Sequence, residues 1–379
     1  MIHFWIRIAL ESLKLAKQQR GETMRRIVGL VLALALISVI CLNGAAFADG
    51  ISQISQWNSI VQIEACDGGI FGLRADGTVV CANANDSLAQ ASRWTNIRQL
   101  ISDDGYYNHF LIGLKKDGTV VSTSKADLSQ WRNITKIVTC KGYWIAGLRS
   151  DGTAVITRKN ELCDGDNGWL EQNAWFDLTT WRDLVELVPL SGWTAMNALA
   201  GIHADGTVSI AAPSGYEYVK SWKNIVSVRG CLDGVFGIAG DGTLAAPPYV
   251  QDMYSENCSF TAPLSTWKNL AALYPGHQDD LFALTADGHV CAVHSNNEYP
   301  LAEAVKDWRN IKTLYPMYNN IIGLRTDGTV VWAGFDQPFA DLKGWKDIKA
   351  LEMVRAGTML CVVGLKTNGT VVCMELNVY

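Results

Sequence analysis

The chain has 379 residues, of which 49% are hydrophobic and 18% charged, with 34 Gly and only 9 Pro. This composition excludes intrinsic disorder, which needs low hydrophobicity and high charge, and it excludes collagen, which needs Gly at every third position. The formal net charge of −5 disfavours a general nucleic-acid-binding protein, because such proteins carry a basic patch that displaces counterions from phosphate.

The first segment of the chain predicts an export signal. Residues 27–42 are apolar, and they lie between two arginines and an Ala-Phe-Ala sequence that ends at Ala48. A positive start, an apolar middle and an A-x-A end are the three parts of a secretory signal peptide. We expect residues 1–48 to be a signal peptide, with Met24 as an alternative start. An uncleaved membrane anchor is the alternative. Cleavage leaves a secreted or cell-surface protein with no membrane span and a net charge of −9.

The remainder, residues 49–379, repeats itself about every 40 residues, a period typical of propellers and solenoids. Each unit opens with a tryptophan, and aliphatic residues follow three and six positions later. An Asp-Gly or Asn-Gly pair between apolar runs then follows in every unit. The eight tryptophans are Trp57, Trp94, Trp131, Trp181, Trp222, Trp267, Trp308 and Trp345.

Each Asp-Gly pair predicts a β-hairpin with a type I′ turn, which needs positive φ at both central residues. Each unit therefore predicts a strand after the tryptophan, a loop, a second strand, the turn and a third strand. The short segment before the next tryptophan is a candidate fourth strand. The turns contain Asp76, Asp117, Asp151, Asp205, Asp241, Asp287, Asp327 and Asn368.

Units of this size with three to four antiparallel strands predict an all-β fold, a β-propeller of about eight blades, with seven as the alternative. Residues 49–379 then form a single domain of eight repeats. An apolar segment, residues 51–56, precedes the first tryptophan, whereas the last unit ends at Tyr379 with no such segment. We therefore expect the N-terminal strand to complete the last blade and close the ring, which removes the open sheet edges.

The units share the pattern W-[KR]-[ND]-[IL] followed by G-[LI]-x-x-[DN]-G-T-V, as in residues 131–134 and 323–330. This pattern resembles the repeat of the regulator of chromosome condensation family in its short bacterial, secreted form, and it covers nearly all of residues 51–379. The resemblance implies a propeller, usually of seven blades, so eight units are a departure. Members of the family resemble secreted propeller-type β-lactamase inhibitory proteins, exchange factors for small GTPases and chromatin-binding proteins. The export signal disfavours the last two roles.

The sequence has no G-x-S-x-G, P-loop, H-E-x-x-H or Cys-x-x-Cys motif, so we expect no enzyme activity, no cofactor and no metal site. Ring closure makes the blades of Cys66 and Cys361 neighbours. A disulfide between them stays open, because their Cα atoms must approach within about 7 Å. Cys373 follows an Asn-Gly turn and is expected to be a small packing residue.

The loops after the first strand differ in every unit, whereas the Asp-Gly turns are alike, and variable loops on a constant scaffold are typical of recognition. Aromatic residues in them supply contact area, and acidic residues favour a partner with a basic surface. The candidate binding residues are Tyr106, Tyr107, His109, Tyr143, Trp144, Trp193, Tyr274, His277, Asp279, Asp280, Tyr315 and Tyr318.

These observations predict an exported, noncatalytic propeller that binds a protein partner through this variable-loop mouth. A cell-surface carbohydrate-binding propeller, using the same aromatic residues to stack on sugar rings, is the first alternative. A hydrolase or lyase at the tunnel mouth is the second, with His109, Asp103 and Asp104 as its only candidates. Nucleic acid is not an expected partner.

Overall fold

A computed structural model gives the fold of the chain. The chain divides into two compact units, residues 1–56 and residues 57–379, and the second unit carries all the strands described below. The predicted signal peptide lies outside the described residues. Among those that are described, no helix is long and apolar enough to cross a bilayer. The described residues are 53–66, 69–104, 109–140, 143–157, 177–190, 198–212, 215–231, 234–249, 259–260, 264–276, 280–294, 301–317, 320–334, 339–356 and 359–377.

Twenty-five strands lie in this described part of the chain. The first twelve are β1 (Ile60–Cys66), β2 (Gly69–Arg74), β3 (Val79–Ala82), β4 (Ile97–Asp104), β5 (His109–Lys115), β6 (Val120–Ser122), β7 (Ile134–Cys140), β8 (Trp144–Arg149), β9 (Ala154–Ile156), β10 (Leu184–Leu190), β11 (Ala198–His203) and β12 (Val208–Ala211). The others are β13 (Ile225–Cys231), β14 (Gly234–Ala239), β15 (Leu244–Ala245), β16 (Ser259–Phe260), β17 (Leu270–Pro275), β18 (Leu281–Thr285), β19 (Val290–His294), β20 (Ile311–Met317), β21 (Asn320–Arg325), β22 (Val330–Gly334), β23 (Ile348–Ala356), β24 (Met359–Lys366) and β25 (Val371–Asn377).

The strands form eight antiparallel sheets, which are the blades of a propeller. Blades 1 to 5 consist of β1–β3, β4–β6, β7–β9, β10–β12 and β13–β15, and blades 7 and 8 consist of β20–β22 and β23–β25. Blade 6 has the order β16-β19-β18-β17, so it alone of these sheets has a fourth strand. The predicted all-β fold and the count of eight blades are confirmed.

The first strand of each three-stranded blade is the innermost one. β1 lies beside both β4 and β23, and β13 lies beside both β10 and β17. The first strands of successive blades are therefore neighbours around the centre of the ring, and β17 has the equivalent place in blade 6. One edge of each first strand faces the central channel and has no neighbouring strand, so its backbone groups need other partners.

Apolar side chains fill the space between neighbouring blades. In one cluster Phe71 and Leu73 of blade 1 pack with Leu100 and Leu111 of blade 2, and all four are at most 2% exposed. The repeat tryptophan packs within its own blade against a glycine of the second strand. A Cβ atom at Gly364, for example, would lie 2.6 Å from Cζ3 of Trp345. The tryptophans are therefore packing residues.

A backbone hydrogen bond repeats at every junction between blades, and it proves that the ring is closed. The N–H of Ile97 in blade 2 donates to the carbonyl of Gly77 in the turn of blade 1, at 3.0 Å. The same bond joins blade 8 to blade 1, where the N–H of Ile60 donates to Gly369 O at 3.0 Å. The equivalent donors at the other six junctions are Ile134, Leu184, Ile225, Leu270, Ile311 and Ile348.

The prediction that an N-terminal strand completes the last blade is wrong. Gln53 and Ile54 are helical, and the sheet of blade 8 contains β23, β24 and β25 alone among the described strands. The segments directly before six of the tryptophans are helical and those before Trp131 and Trp181 are turns, and the predicted fourth strand is absent from seven described sheets. These segments include α1 (Asp86–Ala89), α2 (Leu301–Val305) and the 3-10 helices Gln90–Arg93, Glu217–Ser221, Leu264–Thr266 and Ala340–Gly344.

The turns between the second and third strands have three residues rather than the predicted two. In blade 1 the N–H of Gly77 donates to Arg74 O at 2.9 Å, and Gly77 has a φ of +89°. Asp76 is not among the residues with positive φ. A type I turn followed by a left-handed glycine fits this geometry, whereas type I′ does not.

Candidate functional site

The two ends of the blades differ in how constant their connections are. The turns between second and third strands, here called the turn face, have the same three-residue form in all eight blades. The connections between first and second strands lie at the opposite end and form the variable-loop mouth. They contain two residues between β1 and β2, four between β4 and β5, and seven between β10 and β11. The blades and their turn face are therefore constant, whereas the lengths of the connections at the variable-loop mouth differ.

Half of the predicted binding residues fall in loops for which no placement is described. The other half lies at the variable-loop mouth or just inside it, at the ends of the first and second strands. The residues outside the described part of the chain are Tyr106, Tyr107, Trp193, His277, Asp279 and Tyr318.

Two of the described candidates are buried. Trp144 opens β8, is 2% exposed, and packs with Val138 and Leu178 in the cluster between blades 3 and 4. Asp280 is 1% exposed, and its backbone carbonyl accepts a hydrogen bond from Cys231 Sγ at 3.5 Å. The expectation that their side chains face a partner is therefore corrected, because both are enclosed where neighbouring blades pack together.

Two tyrosines at this mouth join neighbouring blades through their hydroxyl groups. Tyr274 of blade 6 donates to Thr313 Oγ1 of blade 7 at 3.2 Å. Tyr315 of blade 7 accepts from the backbone N–H of Leu351 in blade 8, also at 3.2 Å. Burial raises the pKa of Tyr315 to about 12, so its hydroxyl stays neutral at physiological pH. Both rings are half-buried and fixed in place.

His109 and Tyr143 are the remaining described candidates. His109 opens β5 and is half-buried. Tyr143 is half-buried in the loop before β8, where its N–H donates to Cys140 O at 2.8 Å. Together with Tyr274 and Tyr315 they give four partly exposed side chains on four different blades. The residues that a partner would contact are therefore spread around this mouth.

The structure reveals a polar network at the channel that the sequence analysis missed. Gln62 of blade 1 pairs with the open edge of β4 in blade 2: Nε2 donates to Leu100 O at 2.7 Å, and Oε1 accepts from Leu100 N at 2.9 Å. Glu64 accepts from both the backbone N–H and the hydroxyl of Ser102, each at 2.9 Å. Polar residues alternating with the buried Ile63 were the signal for this network in the sequence.

At the seam between blades 8 and 1, two carboxyl groups lie close together. Burial raises the pKa of Glu64. Burial together with the nearby charge of Glu64 raises the pKa of Glu352 to about 8. Two carboxylates in one poorly solvated place cannot both ionise at neutral pH, so Glu352 holds its proton there.

Other seams carry ordinary polar pairs. Lys136 of blade 3 forms an ion pair with Glu186 of blade 4. The hydroxyl of Thr139 in blade 3 donates to Asp103 of blade 2. Asp103 is 2% exposed, and this placement tells against its use as a surface catalytic acid.

The cysteines do not pair as considered from the sequence. Cys66 and Cys361 are both buried, and neither forms a disulfide bond. The sulfur of Cys361 instead lies 3.7 Å from that of Cys373, in the adjacent strand of the same blade. The described part of the chain contains no group of three or more His, Cys, Asp or Glu side chains that could hold a metal ion.

No protein-family model matches this chain, and no curated protein matches it. Among solved structures, the computationally designed Ika8 protein has a TM-score of 0.49 at 15% identity, over 85% of this chain and 97% of that chain. Yeast RCC1 (Prp20), in its complex with Kap60, has a TM-score of 0.39 at 14% identity, over 79% of this chain and 73% of that chain. YCF48 bound to D1 peptide has a TM-score of 0.38 at 11% identity, over 74% and 94%. The fold assignment rests on this chain's own strand pairing and seam hydrogen bonds.

Proposed function

We propose that this chain is an exported, noncatalytic propeller that binds a protein partner through its variable-loop mouth. The observation that carries the proposal is the contrast between the two ends of the blades. The connections at this mouth range from two to seven residues among blades 1, 2 and 4, while the opposite turns keep one form. Recognition surfaces are built in this way, with variable loops held by a rigid scaffold.

The described side chains at this mouth support a binding role because they are held in place before any partner arrives. The hydroxyls of Tyr274 and Tyr315 are hydrogen-bonded to the next blade, and Tyr143 packs against the cluster between blades 3 and 4. Fixed aromatic side chains lose little conformational entropy on binding, which favours affinity.

The charge near the mouth supports a partner with a basic surface. Glu64 and Glu352 meet at the closing seam, and the sequence of the blade 6 connection includes Asp279. A cationic group of the partner would lower the cost of ionising the Glu64–Glu352 pair. Binding to such a partner should therefore be coupled to proton release.

The proposal is tested by capture from a secreted or cell-surface extract, using immobilised full chain. A double variant, His109→Ala with Tyr143→Ala, alters the mouth, and Lys268→Ala, exposed next to the repeat Trp267 at the turn-face end of blade 6, is the control. We expect the wild type and the control to retain the same protein, and the double variant to lose it. Equal capture by all three would refute the mouth as the site. A glycan-array signal that disappears in the double variant would favour the carbohydrate alternative instead.

A further inference from the structure

The turn face has a constant backbone but a variable charge. Two positions in each blade carry this variation: the last residue of the second strand and the second residue of the first strand. They are adjacent, because the last residue of β2 pairs with the first residue of β1. The first set is Arg74, Lys115, Arg149, His203, Ala239, Thr285, Arg325 and Lys366. The second set is Val61, Arg98, Thr135, Val185, Val226, Ala271, Lys312 and Lys349.

These positions divide the turn face into two sectors. Blades 7, 8, 1, 2 and 3 hold all eight cations of the two sets, and blades 4, 5 and 6 hold no Lys or Arg there. The seam bond from Ile60 to Gly369 makes blade 8 the neighbour of blade 1, so the cations form one basic sector across the closure. The turns of the same five blades contain four carboxylates, which leaves an excess of positive charge.

Two cations of the basic sector bond to uncharged groups, whereas the four that end β2, β5, β8 and β21 lie near the Asp of their own turns and lower its pKa. Arg98 donates to the backbone carbonyls of Ile134 and Thr135, at 3.2 and 2.7 Å, and Lys312 donates to the carbonyl of Lys349 at 3.2 Å. These acceptors are uncharged. Arg98, Lys312 and Lys349 are also exposed, so their charges are available to an anionic partner although the whole chain is acidic.

The second sector, on blades 4 and 5, is concave and combines apolar with polar side chains. Val185 and Val226 are 57% and 59% exposed, more than any other large apolar residue in the described part of the chain. They line a cavity of about 350 Å³ together with Ile202, Ile225 and His203, and the lining also includes the polar residues Glu186, Asp205 and Asn224. The ring nitrogens of His203 bond to Arg182 O and Ser209 Oγ, at 2.6 and 2.8 Å, so the wall is fixed. A pocket of this size accepts a large side chain.

The arrangement of the two sectors identifies the kind of partner. The valines line a cavity bounded by the turn at Asp205 and Gly206, and a cavity suits an inserted side chain better than a flat bilayer surface. Carboxylates in the turns alternate with the cations around the ring, which suits a partner with separate carboxylates better than the continuous phosphate backbone of a nucleic acid.

We propose that the turn face is a second docking surface, which binds an acidic polypeptide segment through the basic sector and holds a large apolar side chain of that segment between blades 4 and 5. This surface lies at the opposite end of the blades from the variable-loop mouth and does not depend on it.

Two fluorescein-labelled peptides test the proposal with the full chain by fluorescence anisotropy at low salt. One is an octamer of glutamate followed by two leucines, and the other ends in two alanines. We expect the leucine peptide to bind more tightly than the alanine peptide, and both more tightly than a lysine octamer. The double variant Lys349→Glu with Lys366→Glu should weaken both glutamate peptides about tenfold. Lys223→Glu with Lys268→Glu, the same charge change outside the basic sector, should have little effect.

The cavity is tested separately, with matched valines. Val226→Ser should abolish the preference for leucine, whereas Val61→Ser, at the same position in blade 1, should keep it. The proposal is overturned if the two charge-reversal variants behave alike or if the leucine preference survives Val226→Ser. It is also overturned if phosphatidylglycerol vesicles or single-stranded DNA bind where the glutamate peptides do not. Unchanged thermal unfolding of each variant confirms that the fold is intact.

Discussion

The residue two positions after each repeat tryptophan has a left-handed backbone conformation. Its φ lies between 53° and 60° in all eight blades. Asn and Asp tolerate this conformation better than other residues with a side chain, which explains the Asn or Asp of the sequence pattern in physical terms. The eight residues are Ser59, Asn96, Asn133, Asp183, Asn224, Asn269, Asn310 and Asp347.

Ser59 is the exception in this set, and it gives the first prediction. Ser59→Asn should raise the free energy of unfolding by about 0.5 kcal/mol, because Asn is better suited to the left-handed region. Chemical denaturation at pH 7 measures the change. The reverse substitution in blade 3, Asn133→Ser, should lower the free energy by a similar amount. If both substitutions changed it in the same direction, the backbone explanation would fail.

The glycine of the second strand gives the second prediction. A Cβ atom at Gly201 would lie 2.7 Å from both Trp181 Cζ3 and Leu184 Cδ2. Gly201→Ala should therefore cost about 1–3 kcal/mol through overpacking. At Gly237 the Cβ would lie 3.0 Å from Cζ3 of the half-exposed Trp222, and that ring has room to move. Gly237→Ala should lower the free energy of unfolding by clearly less than Gly201→Ala does. Urea titration of both variants measures the difference. Equal losses would contradict this packing account.

At the scale of elements, the sequence predicted a hairpin at each Asp-Gly pair but not its turn type. The Asp side chain accepts hydrogen bonds from the residue two positions ahead, as Asp151 Oδ1 does from the N–H and hydroxyl of Thr153, at 2.9 and 2.6 Å. These bonds stabilise a type I turn, so only the glycine needs positive φ. The glycine also approaches the next blade closely: a Cβ at Gly206 would lie 2.6 Å from Asn224 Cα. Contacts of this kind between units are not visible in one repeat.

The connector segments differ from the prediction. The sequence predicts a strand at the apolar residue three positions before each tryptophan. In the structure its carbonyl accepts the N–H of the tryptophan, as from Trp131 to Leu128 at 3.0 Å. A spacing of three residues is helical, and it closes one turn that places the tryptophan at the start of the next blade. Outside blade 6, no fourth strand is found among the described residues.

The turn carboxylates give the third prediction. The hydrogen bonds from Thr153 lower the pKa of Asp151 below its ordinary value of 3.8. A lowered pKa contributes stability that is present above pH 3.8 and is lost as the pH falls through the folded pKa. Asp151→Asn should keep stability at pH 7, because Asn368 makes the same bonds to Thr370 in blade 8. It should also lose less stability than the wild type between pH 5 and pH 2.

Urea unfolding at a series of pH values measures this difference. The matched control is Asn368→Asp, which should add acid sensitivity at blade 8. If Asp151→Asn unfolded at pH 7 as readily as Asp151→Ala, the carboxylate would have a role that the amide cannot replace.

At the scale of the whole molecule, the sequence predicted eight blades and a closed ring, and both are present. It predicted the wrong means of closure. The junction between blades 8 and 1 is an ordinary seam, with the same backbone bond to a turn glycine as the other seven. The repeat count could be made from the sequence because each unit is locally complete. The means of closure could not be predicted, because it depends on the backbone groups of Ile60 and Gly369, which are 309 positions apart in the sequence but hydrogen-bonded in the ring.

The difference between features within one blade and features formed between blades also explains which parts of the candidate site could be predicted. Variable loops on a constant scaffold are visible in the sequence, and the candidates Tyr274 and Tyr315 lie at the predicted mouth. The burial of Trp144, the pairing of Gln62 with Leu100 and the meeting of Glu64 with Glu352 arise between blades. These three features could not be predicted from the sequence, because they form only when neighbouring blades pack together in the ring.

The carboxyl pair at the closing seam gives the fourth prediction. Burial and the charge of Glu64 raise the pKa of Glu352 to about 8, against an ordinary value of 4.5. A raised carboxyl pKa means that the folded protein binds the proton more tightly than the unfolded chain does. The stabilisation is therefore complete below pH 4.5 and is lost as the pH rises through about 8. Glu352→Gln cannot ionise, so it should remove this dependence.

The free energy of unfolding should therefore fall between pH 5 and pH 9 more steeply in the wild type than in Glu352→Gln, by on the order of 1 kcal/mol. Chemical denaturation at both pH values measures the two slopes. Glu375→Gln is the control, since Glu375 is exposed in the same blade, and it should keep the wild-type slope. Because Glu352 lies near Glu64 at the seam between blades 8 and 1, ionisation of both groups places like charges at that seam. Parallel slopes for the wild type and Glu352→Gln would show that the pair does not link closure to pH.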